Sequence, residues 1–416
     1  MKKCIIIGGG AAGMYSAIIA ASGGMDVSIW EKNEKLGKKL FITGKGRCNL
    51  TNNCETEDLF RNVMTNSKFL YSAFYQYNSQ DVMKFFESEG LELKTERGNR
   101  VFPASDKSSD VIRLLENKLR HLGVKIELNR RAKRLLVEDG CCIGVEDVRG
   151  QKEQADAVLI ACGGCAYPST GATEDGYRMA EAVGHTTVLP RPSLVPMETE
   201  EDWCRELMGL SLRNVSVVVR KGKKKIYEDF GEMLFTHFGI SGPLVLSASA
   251  FCGKLKDYKD LIFSIDLKPA LTAEQVDDRL LRIFDANKNK QFRNCLNGLL
   301  PNKLIPAAIR LSGIDPFKQV NLISREERAR FGYLLKHLDI HIRGFRGFNE
   351  SIVTGGGIKV KEINPKTMES KLVKNLYFAG EVIDVDALTG GFNLQIAWST
   401  GWLAAKNMLE VIENEL

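Results

Sequence analysis

The feature that most constrains this chain is its opening. A short, mostly β-branched run, Cys4–Ile7, passes into Gly8-Gly9-Gly10-Ala11-Ala12-Gly13 and then into the alanine-rich segment Ala11–Ser22. The first run reads as a buried parallel strand, and Ala11–Ser22 reads as a helix packed close to it. Val27–Trp30 reads as a second strand. Together they make a β-α-β unit, which fixes a right-handed crossover and a parallel sheet. The glycines match G-x-G-x-x-G, and each has a physical task. Gly8 permits the tight turn, Gly10 lets backbone approach a pyrophosphate, and Gly13 lets helix and strand pack closely. A diphosphate would sit on the free N–H groups of Ala11, Ala12 and Gly13, where the helix dipole favours negative charge. Glu31, followed by Lys32, ends the second strand where a carboxylate can accept from both ribose hydroxyls.

At 416 residues the chain exceeds what one core usually serves, so more than one domain is expected. Helical patterns cover Ser79–Glu89 and Ser109–Leu122. Lys125–Leu128, the segments around Leu135–Val137 and Gly144–Asp147, and Ala157–Ala161 read as strands. From about Arg191 the texture changes, and Pro190, Pro192 and Pro196 are read as a boundary. Val215–Arg220 and Ile226–Asp229 flank a basic run and read as a hairpin. Leu271–Phe331 is more helical, and residues 337–353 return to strand-like alternation. Asn375–Gly380 and Thr389–Leu409 read as strand, turn and final helix. The expected fold class is α/β: a Rossmann-like domain in two parts, 1–190 and 351–416, with residues 191–350 inserted. The insertion is expected to be β-rich over 191–270 and 335–350 and helical over 271–334.

The turn alone does not choose between FAD and NAD. Its position at the N-terminus and a second glycine-rich element near the C-terminus favour FAD. Thr354-Gly355-Gly356-Gly357-Ile358 has glycines but no helix after it, so NAD(P)H is expected only as a transient reductant. Gly390-Gly391-Phe392-Asn393-Leu394 opens the last helix, whose free N–H groups suit the flavin pyrimidine edge; the positive dipole there would stabilise reduced flavin.

Four segments carry a resemblance over nearly the whole chain. They are Gly37-Lys38-Lys39 through Thr43-Gly44-Lys45-Gly46-Arg47-Cys48-Asn49 to Asn52; Ala161-Cys162-Gly163-Gly164 with Tyr167-Pro168; Phe235 to Pro243; and Ala379-Gly380-Glu381 through Asp384 to Gln395. With these the chain resembles a family of bacterial NAD(P)/FAD-dependent oxidoreductases, often labelled aminoacetone-oxidase-like. That family includes a reductase of C=C bonds in 3-oxo bile acids. The resemblance implies the two-dinucleotide-binding type of FAD domain, carrying an inserted β-barrel-like domain and a helical subdomain.

Three residues are candidates for catalysis. His237 and Tyr167 are proton-donor candidates, and Arg47 is a candidate to stabilise a developing enolate or to hold cofactor phosphate. Cys48 and Cys54 lack the spacing of disulfide reductases, and Cys162-Gly163-Gly164-Cys165 sits at a strand end rather than a helix start, so packing is the expected role of these thiols. No paired CxxC at zinc spacing is present, and no metal is expected. The net charge of +6 is modest, and the basic run Lys221–Lys225 reads as a solvated turn, so nucleic acid is not the expected partner. Reduced thiols, and the glycines interrupting the uncharged run after Lys3, favour a cytoplasmic protein acting on a small molecule, with no membrane span. The leading expectation is NAD(P)H-driven reduction of an activated C=C bond. Amine oxidation with O₂ is the alternative, and a flavin-dependent RNA modifier or a non-catalytic flavin sensor is a third reading.

Overall fold

The parallel sheet forms because its strands are apolar on both faces. Cys4, Ile5, Ile6 and Ile7 are all buried, as is every residue of Ala157–Ile160, which a sheet covered by helices on both sides requires. In the computed structural model, which describes residues 2–253, 255 and 257–413, the strand order is Leu376–Phe378, Ala157–Ile160, Lys3–Ile7, Asp26–Glu31 and Lys125–Leu128. All neighbours run parallel. The chain enters in the middle, builds outward to Lys125–Leu128, and then continues on the other side of the first strand. Such a switch point opens a crevice beyond the carboxyl ends of the strands, where ligands of open α/β sheets bind. Gly8, Glu31, Ala161 and Ala379 follow or end the strands at that edge.

The helix Ala11–Ser22 packs on the last helix, Phe392–Glu413. Glycine makes the approach close: a Cβ at Gly401 would lie 3.0 Å from Ala12 O and 2.8 Å from Ser16 Oγ. The Ser16 hydroxyl donates to Gly401 O at 3.0 Å. The first and last helices are thereby parts of one packed body. Contacts divide the chain into two units, one comprising residues up to Ser193 and from Gly347, the other Leu194–Arg346.

The second unit contains a closed barrel of Met197–Thr199, Gly239–Ser241, Lys224–Phe235, Ser211–Lys221, Leu261–Asp266 and Leu338–Phe345, antiparallel throughout. Closure removes exposed strand edges. Val217, Val219, Phe235, Phe263 and Ile340 fill its core, and the same apolar cluster continues into Leu280, Phe292 and Phe331. The helical stretch, with helices Ala273–Ala286, Ile305–Ser312 and Arg325–Lys336, therefore shares the barrel's core. Thr272 with Gln275, and Ser324 with Glu327, form reciprocal capping boxes that start two of these helices.

Several local expectations are corrected. Pro190 and Pro192 lie inside a strand, Thr187–Ser193, paired antiparallel with Val353–Ile358. The pairing slips between Val188 and Arg191, the interval that holds Pro190, as a residue without an N–H demands of a ladder. Residues 191–270 hold, among their strands, one buried helix that the sequence reading did not mark, Pro243–Cys252, opened by proline at its first position. The final helix starts at Phe392 rather than Thr389: Gly390 and Gly391 hold φ of 131° and 101°, outside the helical region. Among the described residues, no helix is long and apolar enough to cross a membrane.

One buried histidine makes the first unit sensitive to acid. His185 donates or accepts at Ser370 Oγ through Nε2 (2.8 Å), and its Nδ1 lies 3.4 Å from Glu362. Burial pushes its pKa below the usual value, with Glu362 only partly opposing. The folded state therefore resists a proton that the unfolded chain accepts. The stabilisation is fully present above the unfolded value of about 6.5 and is lost as pH falls below it. Urea midpoints of the wild type should drop between pH 7.5 and 5.5, and His185→Gln should flatten that drop. An unchanged slope in the variant would count against this assignment.

Candidate functional site

The glycine turn is built so that one position stays open. A Cβ at Gly8 would lie 2.5 Å from Ala161 O, and one at Gly13 would lie 1.9 Å from Gly8 O. At Gly10 a Cβ would meet nothing within 4 Å. Strand, turn and helix are thus pressed together at two glycines and open at the third, on the side of the free N–H groups that begin Ala11–Ser22. That open space fits a diphosphate. Glu31 is buried behind the turn: its Oε2 accepts from Gly9 N–H at 2.7 Å, and its Oε1 accepts from the Asn33 backbone and side-chain N–H groups at 2.8 and 2.7 Å. The carboxylate fixes the turn while keeping acceptor capacity for ribose hydroxyls. Lys32 points to Thr173 and to Asp175, at 2.5 and 3.3 Å. Arg131 grips the same Asp175 through two hydrogen bonds. Burial acts to raise the Asp175 pKa, but Arg131, Thr173 and Lys32 hold it down at about 2.

Residues 37–52 run from this turn to the last helix. Gly37, at φ 66°, donates its N–H to Gly9 O at 2.9 Å. Lys38 pairs with Glu34, and the Thr43 hydroxyl donates to Leu40 O. Gly44, Lys45, Gly46 and Cys48 all take positive φ, and the tight winding is closed by Arg47 N–H to Gly44 O and Cys48 N–H to Thr43 O, at 3.3 and 3.0 Å. With its amide oriented to satisfy both neighbours, Asn49 donates to Thr51 O and accepts from Gly391 N–H, at 3.1 and 3.0 Å. A Cβ at Gly391 would lie 2.3 Å from Thr51 O. Gln395 accepts from the Thr51 hydroxyl, and the buried Trp398 donates its indole N–H to Leu50 O at 2.9 Å. Asn393 clamps the preceding loop, accepting from Ala387 N–H and donating to Ala387 O and Leu388 O. The helix start at Phe392 and Leu394 is therefore held rigidly, its first-turn N–H groups lacking intrahelical acceptors.

A third group joins the strand ends. Lys39 pairs with Glu381 at 2.6 Å, and Glu381 also accepts from Thr354 N–H at 2.8 Å. The Thr354 hydroxyl accepts from Cys165 and Ala166 N–H groups at 2.8 and 3.0 Å. Gly164 has no room for a Cβ, which would lie 2.3 Å from Thr354 Oγ1; Gly163 has φ 72° and Gly380 φ 75°. Asp384 is buried and accepts from Asn66 Nδ2. Sequence reasoning places Thr51 and Gln395 within the resembling segments and Thr354 before its glycines but gives them no role, and it does not mention Trp398. The run of glycines after Thr354 is the available signal, since glycine inside a strand marks close backbone approach. Here a Cβ at Gly356 or Gly357 would strike Leu189 O or Val382 O.

Of the catalytic candidates, Arg47 and Tyr167 belong to the first unit and His237 to the second. Arg47 is committed to Glu96 and to Asp106 (Nε to Oδ1, 2.7 Å) and lies 4.1 Å over the Phe102 ring. Tyr167 is half-buried in a left-handed conformation at φ 57°, and burial raises its pKa above the ordinary tyrosine value. His237 is exposed in the second unit, its ring 4.9 Å from Phe238. Burial pushes the thiols of Cys48 and Cys162 up to about 12 and those of Cys54 and Cys165 up to about 11, so none is a thiolate nucleophile near neutrality.

A glycine turn at a sheet switch point, beside a second helix opened by glycines, defines the class: an oxidoreductase with the flavoprotein form of the Rossmann fold. The chain belongs to the family described as HI0933-like protein Rossmann domain, which matches residues 2–407. It is 34% identical over 417 residues to a 3-dehydro-bile acid delta(4,6)-reductase of Clostridium scindens, covering 99% of this chain and 100% of that one. It is 31% identical over 405 residues to a ribosomal RNA dihydrouridine synthase of Haemophilus influenzae, covering 96% and 97%. The 3-ketosteroid delta1-dehydrogenase of Sterolibacterium denitrificans shares the fold, with a TM-score of 0.55 at 13% identity over 99% of this chain and 100% of that one.

Proposed function

We propose that this protein is an FAD-dependent, NAD(P)H-driven reductase of C=C bonds conjugated to a carbonyl, with a 3-oxo-steroid- or bile-acid-like molecule as acceptor. One observation carries the reading. Two relatives that match along their whole lengths have names describing the same chemistry, saturation of a C=C bond beside a carbonyl, in a 3-oxo bile acid and in uracil. Bound FAD would supply the two-electron carrier that takes hydride from NAD(P)H and gives it to the acceptor's β-carbon. The N–H groups beside Gly10 would hold the diphosphate, Glu31 the adenosine ribose, and the helix start at Gly391–Leu394 the pyrimidine edge. Lys39 and Glu381, paired with each other and tied through Thr354 to Cys165 and Ala166, would fix the strand ends along the ribityl chain. Tyr167 stays protonated at neutral pH and is the better placed of the two proton-donor candidates, being half-buried in the unit that holds the cradle. Arg47, neutralised by two carboxylates, is assigned to holding the loop rather than to the enolate.

A uridine in RNA is the second acceptor reading, and the Haemophilus relative favours it. Anaerobic NADH or NADPH should bleach the flavin, and a 4-en-3-one or 4,6-dien-3-one should restore its colour. Recovery with RNA but not with enones would select the second acceptor. Bleaching by aminoacetone with peroxide release, and none by NAD(P)H, would overturn both.

A further inference from the structure

The helical stretch of the second unit presents a face that the proposed reduction leaves unused. Between Asp285 and Asp315 the sequence holds no acidic residue, while Lys288, Lys290, Arg293, Lys303 and Arg310 are all basic. The first part of this stretch folds back on residues 316–320. Phe292 N–H donates to Lys318 O, Val320 N–H to Lys290 O and Arg293 N–H to Pro316 O, at 2.9, 3.1 and 3.2 Å. Gln291 and Gln319 form a bridge between the two segments. That pairing sets Arg293 beside Phe317 and Lys290 beside Val320.

The Arg293 guanidinium lies 4.3 Å over the Phe317 ring, and Phe317 is nevertheless 57% exposed. A large ring left in water under a cation is a flat surface with no occupant within the unit. Nearby charges only partly cancel. Lys288 is 3.7 Å from Asp285, both well exposed, so the pair holds neither firmly. Asp315 accepts from Phe317 N–H at 2.9 Å, and Lys318 is taken by Glu327. Lys290 is exposed, with no acidic partner among the described residues.

We infer that this face binds single-stranded RNA, stacking one base on Phe317 and Arg293 and receiving phosphates at Lys290 and Lys288. An acidic protein would satisfy the lysines but would have no use for the exposed stack of ring and guanidinium. Bases splayed from a single strand stack on aromatic and guanidinium planes. Gln291 Oε1 accepts from Arg293 Nε at 3.1 Å and steadies the guanidinium, and the exposed Gln319 amide offers a donor and an acceptor to a base edge. The inference rests on the second unit alone and does not depend on which acceptor is reduced.

Fluorescence anisotropy of a short labelled single-stranded RNA with the full-length, FAD-loaded protein tests it. Phe317→Ala should weaken binding by about ten-fold, the loss of one stacked base. Lys290→Glu with Arg293→Glu should weaken it further and lower the salt slope by about one to two. A control pair at the exposed hairpin tip, Lys223→Glu with Lys224→Glu, should stay within about two-fold of the wild type, since only cations that contact a phosphate release counterions on binding. Bleaching of the flavin by NADPH, measured on the same samples, should be unchanged in all variants, which separates failure of this site from failure of the reductase reading. The proposal fails if the wild type binds no RNA, if the platform variants bind as the wild type does, or if the control pair loses as much. Labelled polyglutamate of equal charge that binds as tightly as the RNA, with Phe317→Ala weakening neither, would also overturn it, because a surface reading charge alone would then suffice.

Discussion

Alanine at Gly10 is expected to leave the fold intact and weaken flavin binding by up to about a hundredfold, whereas alanine at Gly13 damages the fold itself. The two glycines share one motif but differ in surroundings. At Gly10 the backbone has φ −84° and ψ −168°, which any residue adopts, and a Cβ there meets nothing within 4 Å. The methyl group would project into space that only a ligand occupies. Forcing a diphosphate past it costs about 1–3 kcal/mol, so FAD affinity should fall by as much as a hundredfold. At Gly13 a Cβ would lie 1.9 Å from Gly8 O. That neighbour is backbone, so the helix must leave the strand. Melting temperatures and the 450 nm absorbance of both purified variants check the contrast. A yellow Gly10→Ala protein with wild-type affinity would mean that no diphosphate lies there.

Trp398→Ala is expected to give the largest loss of stability of any substitution outside the glycine turn. The indole is fully buried, packs edge-on to Tyr15 at 5.4 Å and to Phe86 at 5.5 Å, and donates to Leu50 O. Truncating a buried tryptophan costs about 3–5 kcal/mol, and Leu50 O would lose a buried donor as well. The damage is not confined to packing. This contact, with Thr51–Gln395, ties residues 50–52 to the helix whose start would face the flavin. The variant should therefore release FAD more readily as well as unfold at lower urea. Trp398→Phe, which restores much of the ring but not the hydrogen bond, should recover more than half of the stability. Equal urea midpoints for wild type and Trp398→Ala would refute the tie.

The elements that a local pattern dictates were legible in the sequence. The helix Ala11–Ser22 and the strand before it follow from glycine spacing, apolar runs and alanine propensity, and the structure forms them there. Lys125–Leu128 is bounded as read. What the sequence concealed depends on partners distant along the chain. Arg47 looks free beside its glycines until Glu96, at the end of the strand Leu93–Glu96, and Asp106, in the turn after Arg100–Pro103, close on it. Thr354-Gly355-Gly356-Gly357 looks like a failed dinucleotide motif, and its glycines instead admit Arg191, Leu189 O and Val382 O at close range. The helix Pro243–Cys252 was hidden because it is apolar nearly all round, which leaves little helical periodicity to read. Closure of the barrel by Met197–Thr199, a strand of three residues, is likewise a tertiary fact.

The central claim is that helix starts from opposite ends of the chain serve one FAD. Titration of the apoprotein with FAD, followed by flavin fluorescence and by isotope-labelled ADP as competitor, tests it most directly. The account predicts one FAD per chain, bound at least a hundredfold more tightly than ADP, as expected if the last helix start adds roughly 3 kcal/mol of flavin contact to the diphosphate site. A folded chain that stays colourless, or that binds FAD no better than ADP, would contradict it.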